Sequence, residues 1–106
     1  MHIRRRALLQ RVRHSVKDHP VTALMGPRQC GKTTLARELT RQIKGTFFDL
    51  ENRQDIARLQ DPVRALGELR GLIVLDEVQN APDLFSYIQR LGEENRQMQF
   101  ILTGSQ

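Results

Sequence analysis

The sequence predicts an α/β fold in which a parallel sheet is flanked by helices. Short apolar runs ending in glycine or in charge alternate along the chain with stretches whose apolar residues recur at helical spacing. Strand and helix signals in that order give parallel pairing through right-handed crossovers. The 106 residues, 39% hydrophobic and 27% charged, have the size and composition of an ordinary globular domain.

Taken in order, Leu8, Leu9, Val12 and Val16 lie at helical spacing within residues 4–17, which predicts an amphipathic helix with a basic outer face. Pro20 marks its end. Residues 21–25 are a short apolar run entering Gly26, the pattern of a buried strand. Leu35, Leu39 and Ile43 predict a helix over residues 32–44, stopped by a C-terminal glycine signal at Gly45. Residues 46–50 read as the second strand, and Asn52 starts a helix. Ile56, Leu59, Val63, Leu66 and Leu69 suggest two short helices divided at Asp61-Pro62, because proline disfavours helix in the residue before it. Residues 72–78 are the strongest strand, branched and apolar until Asp76 and Glu77. After Ala81-Pro82-Asp83, Leu84, Ile88 and Leu91 mark a helix together with Phe85 and Tyr87, and residues 100–103 form a fourth strand.

Charge divides the chain. The net charge of +5 resides in residues 1–19, where six Arg and Lys stand against Asp18 alone, whereas residues 20–106 carry eleven basic and eleven acidic side chains. The expected organisation is a basic N-terminal helix over 1–19 and a core over 20–106. No apolar run approaches the roughly 20 residues of a membrane helix, and the basic start lacks the apolar region of a secretory signal. The single cysteine, Cys30, excludes an internal disulfide and fits a cytoplasmic protein.

Gly26-Pro27-Arg28-Gln29-Cys30-Gly31-Lys32-Thr33 fits the pattern G-x-x-x-x-G-K-[ST] and falls between a predicted strand and a predicted helix, the context that motif requires. Gly26 and Gly31 let the backbone approach a ligand closely, so that successive N–H groups face phosphate oxygens. The following helix adds its positive N-terminal end. Lys32 would set an ammonium on the β- and γ-phosphates of ATP, Thr33 would ligate Mg²⁺ and Thr34 would reach the α-phosphate. Cys30 fills a variable loop position, where the helix end and Lys32 favour its thiolate. The strand over residues 72–76 then ends in adjacent carboxylates. Asp76 would hold Mg²⁺ through its water shell, and Glu77 would orient or deprotonate the water that attacks the γ-phosphate. A carboxylate directly after the magnesium-site Asp favours hydrolysis over phosphoryl transfer.

Together MGPRQCGKTTLARELT, FFDLEN, LIVLDEVQNAPDLF and FILTGSQ resemble the start of a group of prokaryotic AAA-type P-loop ATPases, of the additional-strand class. The resemblance covers nearly the whole chain and implies the spatial strand order first, fourth, third, second. It maps a sensor segment onto residues 101–105, with Thr103 as the first candidate for the polar side chain between Glu77 and the γ-phosphate and Ser105 as the second. Gln79, Asp49 and Glu51 match the family without an assigned chemistry. Family members continue with a further strand, a helical lid, an arginine that completes a neighbouring site and a C-terminal domain. The resemblance therefore implies a core truncated after its fourth strand, weak or inactive as an ATPase by itself and with a sheet edge open to self-association. The alternatives are a nucleotide-binding remnant without turnover and a nucleic-acid-binding module that uses the basic arm.

Overall fold

The computed structural model describes residues 2–27 and 31–105, with side chains from Arg6 onward. Arg28, Gln29 and Cys30 of the predicted loop lie outside the described residues. In chain order the elements are α1 (His2–Asp18), β1 (Val21–Gly26), α2 (Lys32–Ile43), β2 (Thr46–Asp49), α3 (Arg53–Arg58), α4 (Pro62–Leu66), β3 (Gly71–Asp76), a 3₁₀ turn (Val78–Asn80), α5 (Asp83–Glu94) and β4 (Met98–Ser105). The strands form one parallel sheet of order β1-β4-β3-β2, the order implied by the family resemblance. No described helix is long and apolar enough to cross a membrane.

Strand alternation divides the core between the two faces of the sheet. Leu72 and Val74 of β3 and Ile101 of β4 pack with Leu9, Val12 and Val16 of α1 and Leu35, Ala36 and Leu39 of α2. Ile73 and Leu75 of β3 and Phe100 and Leu102 of β4 meet Phe48, Leu59, Leu66, Leu84 and Ile88 on the opposite face. Each fully buried side chain of this kind contributes about 2 kcal/mol. The same alternation sends Asp76, two positions beyond Val74, and Thr103 and Ser105, beyond Ile101, toward the face covered by α2.

The short helices begin where the sequence places them. Asn52 Oδ1 accepts the N–H groups of Gln54 and Asp55 at 2.9 and 3.2 Å, and Asp61 Oδ1 accepts that of Arg64 at 3.3 Å. Several details differ from expectation. Strand β3 ends at Asp76, ahead of the expected residue 78, because Glu77 turns left-handed into the 3₁₀ turn. Leu8 is exposed, so the packed stripe of α1 consists of Leu9, Val12 and Val16. Helix α2 ends at Ile43, two residues before the anticipated glycine: Lys44 takes the left-handed conformation, with φ 61°. Gly45 is required for closeness instead, because a Cβ there would lie 2.7 Å from the Leu72 carbonyl oxygen. Finally, β4 runs through Gly104 and Ser105, since β1 offers it a partner as far as Gly26.

Candidate functional site

The buried polar and charged side chains among the described residues are Lys32, Asp76, Glu77 and Thr103, and all four lie at the carboxyl end of the sheet. Each arrives there for a local reason. Gly31, at φ 84°, turns the chain into α2 and precedes Lys32 as its N-cap, a conformation that costs glycine little. Lys32 and Thr33 therefore occupy the first turn of α2, next to the ends of β3 and β4.

Two hydrogen-bonded chains link these residues. In the first, Thr33 Oγ1 donates to both carboxylate oxygens of Asp76, at 3.0 and 3.2 Å, and Thr103 Oγ1 donates to Asp76 Oδ1. Thr103 Oγ1 in turn accepts the backbone N–H of Glu77 at 2.9 Å. In the second, Lys32 Nζ donates to the Pro27 carbonyl at 3.0 Å and makes a longer contact of 3.4 Å with Ser105 Oγ. Ser105 Oγ donates to both oxygens of Glu77, at 2.8 and 2.9 Å, while Gln79 Nε2 donates to Glu77 Oε2 at 3.3 Å.

Glu77 itself is left-handed, with φ 60° and ψ 53°. For a residue with a Cβ this costs on the order of 1–3 kcal/mol and persists only where neighbours hold it. The Thr103 hydroxyl and the following 3₁₀ turn supply that hold, through the Glu77 N–H and the bond from Asn80 N to the Glu77 carbonyl at 3.1 Å. The sharp turn directs the carboxylate toward Ser105 instead of letting it continue the strand alternation.

Of the two hydroxyls anticipated between Glu77 and the γ-phosphate, Ser105 contacts the Glu77 carboxylate and Lys32, whereas Thr103 contacts Asp76 and the Glu77 N–H. Register explains the difference: Thr103 pairs with Leu24, inside β1, whereas Ser105 pairs with Gly26, where the loop begins. Thr103 lies fully buried beneath the two acidic residues. Thr34 is exposed on the first turn of α2. Asp49 is engaged in its own turn, Oδ1 accepting the N–H of Glu51 at 2.9 Å, and Glu51 is exposed. Gln79 is brought directly to Glu77, a placement no spacing rule signals, since residue 79 falls after the strand has turned.

The chain matches the AAA domain family over residues 18–106. It is also similar to the uncharacterized protein Mb2031c of Mycobacterium bovis and the uncharacterized protein Rv2008c of Mycobacterium tuberculosis, each 42% identical over 106 residues. These matches take in 99% of this chain and 24% of each relative, so the chain spans about a quarter of their length. A family match over most of the chain agrees with the strand order and with the glycine-led helix beside β4. The chain therefore belongs to the AAA domain family and has the nucleotide-binding fold of AAA-type ATPases.

Proposed function

We propose that this chain binds ATP together with Mg²⁺ and hydrolyses the terminal phosphoanhydride bond. The observation that carries the reading is the gathering of the buried charges, Lys32, Asp76 and Glu77, at one end of the sheet. Burying an ion costs several kcal/mol even after relaxation, so such a cluster is poorly explained by stability alone. Buried and strained polar groups concentrate at functional sites.

The donor set fits magnesium. The Thr33 hydroxyl donates its hydrogen bond to Asp76, which leaves an oxygen lone pair for a hard cation, and Asp76 sets a carboxylate beside it to hold the ion's water shell. Among the described residues no group of three or more His, Cys, Asp or Glu side chains is placed to hold a metal ion by itself. A magnesium ion held by one or two protein oxygens, with phosphate and water completing its shell, suits that arrangement. The ion supplies charge neutralisation at the phosphate oxygens.

In this reading Lys32 faces the β- and γ-phosphates, and Glu77 takes a proton from the attacking water as its oxygen bonds to the γ-phosphorus. The bond from that phosphorus to the bridging oxygen breaks, and ADP leaves with the electron pair. Ser105, between Glu77 and Lys32, takes the role of the polar side chain that senses the γ-phosphate; Thr103 fixes the two acidic residues from below. The basic helix α1 stays outside the chemistry.

Titration calorimetry with Mg-ATP, paired with a phosphate-release assay, tests the assignment. Lys32→Ala is expected to lose most of its affinity. Glu77→Gln is expected to keep affinity and to lower phosphate release by about 10²–10⁴-fold, the usual contribution of a positioned base. Unchanged affinity in the first variant, or equal turnover in the second, overturns the reading.

A further inference from the structure

We infer that Gln79 is a positioning residue for the Glu77 carboxylate; the inference rests on the hydrolytic reading of the site. The Gln79 side chain bridges two groups that belong to different elements. Its Nε2 donates to Glu77 Oε2 at 3.3 Å, and its Oε1 accepts the backbone N–H of Ser105 at 3.4 Å. The direction of the amide follows from chemistry: an ionised carboxylate only accepts, and a backbone N–H only donates. One side chain therefore ties the 3₁₀ turn after β3 to the last residue of β4.

The tie matters because Glu77 is held at a left-handed backbone position directly after β3. A carboxylate on such a turn can swing by rotating its side-chain torsions, and neither Thr103 nor Asn80 restrains those. Ser105 Oγ touches both carboxylate oxygens from one side, and Gln79 reaches Oε2 from its own turn. Two contacts from different elements restrain the plane of this carboxylate more tightly than the Ser105 contact does by itself.

The space behind Gln79 is shaped to keep it there. A Cβ on Gly104 would fall 3.3 Å from Gln79 Oε1 and 2.6 Å from Met25 Sδ. A glycine at 104 thus lets Gln79 approach the β4 backbone closely. Val78, Gln79 and Ser105 also line an open cleft of about 310 Å³ with Met25, Pro82 and Phe85, so the amide sits between this apolar surface and the acidic site. Gln79 is exposed at its outer side, so its replacement leaves the buried core untouched.

Gln79→Leu removes both hydrogen bonds, and Gln79→Glu keeps an acceptor for Ser105 but sets a second carboxylate against Glu77. In phosphate-release assays on the full chain, both variants are expected to lose about tenfold in kcat, a fraction of the range a general base supplies, with KM changed by less than about twofold. Gln79→Glu should lose at least as much as Gln79→Leu. Amide hydrogen exchange gives a readout independent of activity: the Ser105 N–H should exchange faster in Gln79→Leu and stay protected in Gln79→Glu. An unchanged Ser105 exchange rate in Gln79→Leu overturns the bridge. Release that depends on Glu77 but not on Gln79 overturns the positioning role alone. Release no faster in the unmodified chain than in Glu77→Gln overturns the hydrolytic reading, and the role of Gln79 with it.

Discussion

Thr103 and Ser105 occupy the same face of β4, two positions apart, and their hydroxyls meet different surroundings. Thr103 is fully buried and serves two partners, donating to Asp76 and accepting from the Glu77 backbone. Thr103→Val keeps the shape but strands the Glu77 N–H, and it should cost about 1–3 kcal/mol in denaturant unfolding, the penalty of an unsatisfied buried group. Ser105→Ala at a half-buried strand end should change stability by less than about 0.5 kcal/mol. Its effect is expected in turnover, because the carboxylate of Glu77 loses both contacts with the Ser105 hydroxyl. A stability loss confined to Ser105→Ala, with turnover lost only in Thr103→Val, would reverse the two assignments. The motif made both hydroxyls visible in the sequence. Their order was not, because it depends on the register of β4 against β1, which is a long-range pairing.

At the scale of the element, helix ends show how a residue type can be read correctly for an incorrect reason. Gly45 follows the last apolar position of α2 and looks like a stop signal, yet the left-handed residue is Lys44. Gly45 is needed where the chain passes over β3, with its missing Cβ facing the Leu72 carbonyl at 2.7 Å and the Leu72 Cβ at 3.0 Å. Lys44→Gly should therefore stabilise the protein by about 0.5–1 kcal/mol, since glycine takes the left-handed cap without a Cβ penalty. Gly45→Ala should destabilise it by about 1–3 kcal/mol through overpacking against backbone that has little room to yield. Thermal unfolding of the two single variants checks both signs. The opposite order would restore Gly45 as the cap. Local patterns located α3 and α4 from Asn52 and Asp61, whose side chains cap their own helices. No local pattern reveals a glycine chosen for a neighbour that is 27 residues further along the chain.

At the scale of the whole molecule, the sheet order was legible because β1, β2 and β3 are each followed by helix and the resemblance supplied the order of neighbours. That order places β1 at an edge of the sheet. Among the described strands β1 pairs with β4 alone, so one side of Val21–Gly26 presents backbone N–H and C=O groups without a strand partner. Ala23 and Met25 are exposed along it, Met25 to 50% of its surface. An edge of this kind, with no charged side chain between Val21 and Gly26, is a template for another strand. The purified chain is expected to self-associate as its concentration rises, in analytical ultracentrifugation at constant salt. Ala23→Lys should shift that equilibrium toward monomer by about tenfold, because a lysine on an edge strand must be desolvated when a second strand docks beside it. Lys32→Ala, in the first turn of α2, should leave the association unchanged and so separates edge pairing from loss of the proposed nucleotide site. A chain that sediments as a monomer throughout, or one whose association ignores Ala23→Lys, would show that the β1 edge is covered by other means.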